Sequence, residues 1–221
     1  MGHRSVILPA EGPNAARSGG GPETRISCGA VSAPSITFLP TRLDGIHLMR
    51  SPVHGDERGF FQESFRASAL AEVGVETAWV QDNHSRSARG VLRGMHWAVE
   101  PGQCKLIRCA RGRIWDAVVD IRRGSPTFGQ WEGFELDDAG GLSLYVPLGF
   151  AHGFYVLSDV ADVIYKCSAY YDGALERGIA WDDPEVGIAW PAGPRTVSAR
   201  DAEAPRLSQV AAADAPFTYP A

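Results

Sequence analysis

The chain reads as an all-β protein, a closed sandwich or jelly roll, on three observations. Short runs of apolar and β-branched residues recur along most of its length. Its 25 glycines and 15 prolines fall largely between those runs, where strands must turn. The runs follow one another at regular spacing, which favours a closed sandwich or jelly roll.

From the N-terminus, residues 1 to 38 are rich in Gly, Ala, Pro, Ser and Arg and carry Ser18-Gly19-Gly20-Gly21-Pro22. Such a stretch buries too little apolar surface to offset its ordering entropy, so it is expected to be a flexible extension. A swapped arm is the minor alternative, because Ile26, Val31, Ile36 and Phe38 could supply an edge strand. Residues 39 to 210 form the expected domain and 211 to 221 a C-terminal tail. Gly45 to Met49 reads as a strand, Asp56-Glu57-Arg58-Gly59 as a turn, and Phe60 to Phe65 as a second strand. Ser68 to Val73 suits one short helix with Ser68 as its cap. Further strands are expected at Lys105 to Cys109, Ile114 to Ile121, Gly129 to Leu136, Leu142 to Val146, Gly153 to Leu157 and Asp162 to Ala169.

The 221 residues fit one domain with tails and can bury a substantial core. A net charge of -5 with both signs interspersed argues against general nucleic-acid binding, which needs a basic face. No apolar run approaches the ~20 residues that span a bilayer, and the N-terminus lacks a signal pattern. A cytoplasmic protein with reduced thiols is therefore expected. The four cysteines, Cys28, Cys104, Cys109 and Cys167, have no metal-ligand spacing and read as small apolar residues.

Chemistry concentrates between Gln81 and Lys105, where one histidine lies among fixed cations inside a β-forming stretch. Strand alternation puts Arg93 and Met95 on one face and His96 on the other. His96 is then either a satisfied core histidine or a base pointing into a cavity. The imidazole pKa of about 6.5 suits proton abstraction at neutral pH.

The block Gln81-Asp82-Asn83-His84-Ser85 with Val91-Leu92-Arg93-Gly94-Met95-His96 resembles the dTDP-4-dehydrorhamnose 3,5-epimerase family of nucleotide-sugar epimerases. The likeness begins near Thr41. It runs through Gly55-Asp56-Glu57-Arg58-Gly59-Phe60-Phe61, Ser125-Pro126-Thr127-Phe128-Gly129 and Gly149-Phe150-Ala151-His152-Gly153-Phe154, and ends around Asp201 to Pro205. Several motifs in the right order make a specific signal. The resemblance implies a cupin-type jelly roll and C3 and C5 epimerisation of a dTDP-4-keto-6-deoxy sugar nucleotide. It also implies a homodimer whose N-terminal strands join the partner's sheet.

By that resemblance His96 is the general base, Asp201 the carboxylate that holds it, Tyr165 the proton donor and Lys105 the cation at the C4 oxygen. Asp116 also matches a position near the site, where it is expected to orient His96. Asp120, four residues along the same strand, is expected only to pair with an arginine. Nucleotide and sugar recognition would fall to Arg58, Phe61, Glu63, Gln81, Asn83, Arg93, His152, Tyr171, Glu176 and Arg200. Arginine forks fit phosphate oxygens, while amides and a carboxylate fit a thymine edge, with Tyr171 as the stacking aromatic. Arg200 departs from the family's usual lysine while keeping its charge. Arg58 and Glu63 are expected to serve a neighbouring subunit's site.

Pro147 to His152 also matches the second cupin motif, but the first motif's His-x-His is missing, because Trp97 and Ala98 follow His96. With Glu100 as a loose third donor the set is poor for iron or zinc, so no metal and no cofactor are expected. Three rivals remain open: a mono-epimerase of a related keto sugar, a metal-dependent cupin oxygenase and a non-catalytic sugar-nucleotide binding module.

Overall fold

The computed structural model describes residues 36–219. Two antiparallel sheets face each other. One has six strands in the order β1 (Thr37–Leu39), β2 (His47–Arg50), β10 (Leu142–Val146), β7 (Lys105–Arg111), β12 (Val160–Cys167) and β5 (Gln81–Ala88). The other has five, in the order β13 (Glu176–Gly178), β6 (Leu92–Ala98), β11 (Phe150–Val156), β8 (Arg113–Asp120) and β9 (Trp131–Asp137). Strands β3 (Val53–Asp56) and β4 (Gly59–Gln62) form a separate hairpin. Two short helices, α1 (Ala67–Ala71) and α2 (Ala199–Ala202), complete the regular elements together with a single 3-10 turn. The expected jelly roll is what the chain adopts.

The strands form where apolar side chains alternate, and the two inner faces supply the central core. Ile107, Leu144 and Val163 from the first sheet meet Ile114, Val118 and Phe154 from the second. Ile107 is fully buried, so truncating it to alanine is expected to cost about 2–5 kcal/mol. β8 is buried on both faces: Ala117 and Val119, with Ile121 just after the strand, pack under the C-terminal segment with Met95, Trp97 and Leu207. Double burial explains why that stretch is a near-continuous apolar run instead of an alternating one. A third cluster joins Met49, Leu106 and Tyr145 on the outer face of the six-stranded sheet to Leu70 and Val75 around α1.

Helix α1 departs from expectation at its start. Its cap position is Arg66, with no side-chain cap bond, and Ser68 lies inside the first turn. Expected strands begin or end a few residues off, and β13 and α2 were not among the expected elements. β1 crosses the boundary expected at residue 38 and pairs with β2 of the same chain, while Ile36 and Phe38 pack on the third cluster. Ile26, Val31, Cys28 and most of the expected extension lie outside the described residues.

The segment after 211 is held at several points between 214 and 217. Trp97 Nε1 donates to Asp214 O at 2.7 Å, Arg123 N donates to Phe217 O at 2.8 Å, and Ala215 is buried. At that end of β8, Asp120 pairs with Arg122 as expected, with Oδ2 at 2.7 Å from Nη2. Arg122 in turn stacks 4.4 Å over Phe150 and 4.8 Å over Tyr219.

Candidate active site

A cavity of about 480 Å³ opens between the two sheets. The five-stranded sheet contributes Arg93 and His96 from β6, His152 from β11 and Glu176 from β13; the six-stranded sheet contributes Lys105 from β7 and Tyr165 from β12. Arg200 and Asp201 reach it from α2. These eight expected residues converge on one space although more than a hundred positions separate the first from the last.

Arg93 and His96 share the cavity, so the expected alternation along β6 fails between them. The register explains it. His152 pairs with His96 but Phe154 pairs with Arg93, which sets Gly94 and Met95 together opposite Gly153. This bulge turns Met95 into the layer beneath the C-terminal segment and brings both polar side chains to one side. Glycine is needed here: Gly94 has φ +125°, and a Cβ there would stand 2.5 Å from Gly153 Cα.

His96 Nε2 lies 2.7 Å from Asp201 Oδ1, and Asp201 Oδ2 accepts from Gly94 N at 3.3 Å. Asp201 itself is set by Ser198, whose side chain accepts from Asp201 N and caps α2. Burial alone would raise the Asp201 carboxyl. His96, Gly94 and Ser198 together outweigh burial and hold it below the usual carboxylate range. It stays ionised at neutral pH and fixes the imidazole with Nε2 protonated, leaving Nδ1 as the basic nitrogen.

Across the cavity, burial pushes the Tyr165 phenol up, with the Cys167 thiol adding to the shift and Asn83 opposing it. A phenol that keeps its proton at neutral pH can donate it. Burial lowers Lys105, opposed by Cys167, Glu176 and Asp116, and its ammonium lies 6.0 Å from the Tyr165 ring centroid. Arg93 is held by Ser87 Oγ at 3.0 Å, and Arg200 by Glu176 at 2.5 Å.

Other expected residues lie elsewhere. Asp116 does not meet His96: it is buried behind the wall and bonds His152 Nε2 at 2.9 Å, because β11 stands between β8 and β6. Gln81, Asn83 and Tyr171 form their own chain, with Gln81 Nε2 donating to Asn83 Oδ1 and Tyr171 N donating to Gln81 Oε1, both at 2.9 Å. Tyr171 lines a smaller adjoining cleft that shares Lys105 and Glu176 with the main cavity. Arg58, Phe61 and Glu63 do not line either space. Arg58 pairs with Asp56, Glu63 pairs with Arg66 at 2.6 Å, and the Phe61 side chain is 72% exposed.

Residues absent from the expected set also line the cavity, notably Ser85, Phe154 and Thr196 to Ser198. Ser198 was detectable as a cap three positions before an acidic residue. Thr196 is placed by a parallel bridge to Val91, a tertiary contact without a local signal.

Among the described residues no group of three or more His, Cys, Asp or Glu side chains is arranged to hold a metal ion. Also among the described residues, no helix is long and apolar enough to cross a membrane.

A sequence profile for dTDP-4-dehydrorhamnose 3,5-epimerase matches residues 40–209. The chain is 47% identical over 154 residues to the dTDP-4-dehydrorhamnose 3,5-epimerase of Methanothermobacter thermautotrophicus, covering 70% of this chain and 83% of that one. It is 40% identical over 182 residues to a dTDP-4-dehydrorhamnose 3-epimerase of Streptomyces niveus, covering 81% and 88%. The crystal structure of a dTDP-6-deoxy-D-glucose-3,5-epimerase from Legionella pneumophila, in complex with dTDP-4-keto-L-rhamnose, superposes with a TM-score of 0.82 at 43% identity, covering 85% of this chain and all of that one. Fold, profile and relatives agree, and the chain belongs to the dTDP-4-dehydrorhamnose 3,5-epimerase family.

Proposed function

We propose that the protein epimerises dTDP-4-dehydro-6-deoxy-D-glucose at C3 and C5 to dTDP-4-dehydro-L-rhamnose. The observation that carries this reading is an imidazole and a phenol entering one cavity from opposite sheets. Inverting a carbon next to a ketone needs a base on one face and an acid on the other.

His96 Nδ1 takes the proton from the carbon beside the C4 carbonyl. The C–H electron pair becomes a C=C bond, and the carbonyl pair moves onto the C4 oxygen as an enolate. Lys105 stabilises that oxyanion. When the enolate collapses, its electrons take a proton from Tyr165 on the opposite face, so the configuration inverts. Exchange with solvent returns the proton to the phenolate and removes it from the imidazolium. Repeating the sequence at the other flanking carbon completes the conversion, and none of these steps requires a cofactor. Arg93 and Arg200 hold the diphosphate, while Glu176, His152 and the Gln81-Asn83-Tyr171 chain hold the sugar and base.

The relative named as a 3-epimerase supports a second reading, inversion at one centre only. Proton NMR of the product formed in deuterium oxide separates the two. Deuterium at both C3 and C5 is expected, label at one carbon selects the mono-epimerase, and an unlabelled sugar rejects both.

The homodimer reading is supported by the β3–β4 hairpin, where Phe60 and Phe61 are 62% and 72% exposed and Arg58 stays clear of its own chain's cavity. Dimers mixed from Arg58→Ala and His96→Ala chains should regain activity at one site; dimers without any recovery would reject sharing. The free thiols of Cys104, Cys109 and Cys167 support a cytoplasmic location.

A further inference from the structure

Asp116 is a carboxylate with no exposure at all. In the β8–β11 register Phe154 stands opposite Asp116 and Val118 opposite His152, so the carboxylate reaches diagonally to the imidazole. Its two oxygens stand 3.0 and 2.9 Å from Nε2. An ionised carboxylate can only accept, so Nε2 carries hydrogen. Among the described residues the hydrogen bonds of His152 run through Nε2 alone, and its side chain lines the cavity. Two imidazoles thus stand side by side, His152 opposite His96, each backed by its own carboxylate.

Burying a carboxylate is costly unless it is paired. Burial raises the Asp116 carboxyl, with His152 and then Lys105 opposing. His152 and Lys105 come from different sheets, and both line the cavity. An aliphatic side chain would fill this place at less cost, so packing does not account for Asp116.

We propose that Asp116 is a positioning residue for the epimerisation: by holding His152 Nε2–H it turns Nδ1–H into the cavity as a second donor, beside Lys105, to the oxygen that carries the enolate charge. The inference rests on the proposed function and adds a group to its oxyanion site. With Nε2–H given to Asp116, donation from Nδ1 uses the imidazolium form, which is the form the proposal assigns to His152. A donor aimed where charge develops acts mainly in the transition state.

Asp116→Asn keeps the shape and an acceptor for Nε2–H but removes the charge. Its kcat should fall on the order of ten- to a hundredfold, with KM within about twofold of wild type and Tm no lower. His152→Asn should lose a similar factor, and the double variant no more than the worse single one, because the two residues act as a unit. Nitrogen-15 NMR of the resting wild-type enzyme should show His152 protonated on both ring nitrogens, and on one in Asp116→Asn. Full kcat in either single variant, multiplying losses in the double variant, or a neutral His152 in the wild type would each overturn the proposal. If Asp116→Asn does not fold, His152→Asn and the wild-type spectrum decide it. The spectrum needs no turnover, so an enzyme inactive on the keto sugar would sink the proposed function while this inference is judged separately.

Discussion

Asp116 and Asp120 sit four residues apart on one strand and are both fully buried, yet their surroundings differ. Asp120 accepts from Arg122 N, Nε and Nη2 and from the hydroxyls of Ser125 and Thr127, all within 2.9 Å. Burial raises its carboxyl, but Arg122, Ser125 and Thr127 outweigh that and hold it below the usual range. Asp116 has one imidazole, and burial wins. A carboxylate saturated with donors belongs to the scaffold; one left with a single titratable partner beside a cavity is available for chemistry.

The comparison predicts that damage at the cavity end removes activity and damage at the Asp120 end removes stability. The largest effect is expected for His96→Ala, with kcat down about 10²- to 10⁴-fold and a folded protein by circular dichroism. A near-normal rate would reject His96 as the base. Lys105→Met should lower kcat by about 10²- to 10³-fold while dTDP affinity, measured by calorimetry, changes little. Asp120→Asn leaves Arg122 without its counter-charge, so thermal or urea unfolding should show a loss of about 3 kcal/mol with the folded fraction still active. Lost activity at unchanged stability would erase the distinction between the two ends.

The smallest effect is on the pH dependence of stability, where the two carboxylates act with opposite sign. The depressed Asp120 group contributes stability above the ordinary carboxylate range, and that contribution is lost as pH falls through its folded value. The raised Asp116 group does the reverse: its contribution is present in acid and is lost as pH rises through its folded value. Unfolding across pH 3 to 7 should therefore show Asp120→Asn flattening the acid limb and Asp116→Asn gaining on wild type towards neutrality. Parallel curves for the two variants would contradict the assignment.

Much of this was legible in the sequence because strands and turns carry local signals. Leu142 to Val146 was bounded correctly, and His96, Asp201, Lys105 and Tyr165 were named together from their motifs and do converge on one cavity. The failures share a cause. The face of Arg93 was misjudged because the bulge opposite Gly153 depends on a partner strand nearly sixty residues away. Asp116 was given to His96 because sequence separation does not reveal that β11 lies between them. β13 is three residues long and owes its form to pairing with β6, so no window along the chain could have found it.

The link between the Trp97 indole and the Asp214 carbonyl has a practical consequence. Trp97 directly follows the proposed base, and Asp214 also anchors Arg177 beside it on β13. Trimming the last dozen residues would unfasten the ground on which the imidazole stands, and an enzyme shortened there would report a slackened foundation rather than the duty of the piece removed.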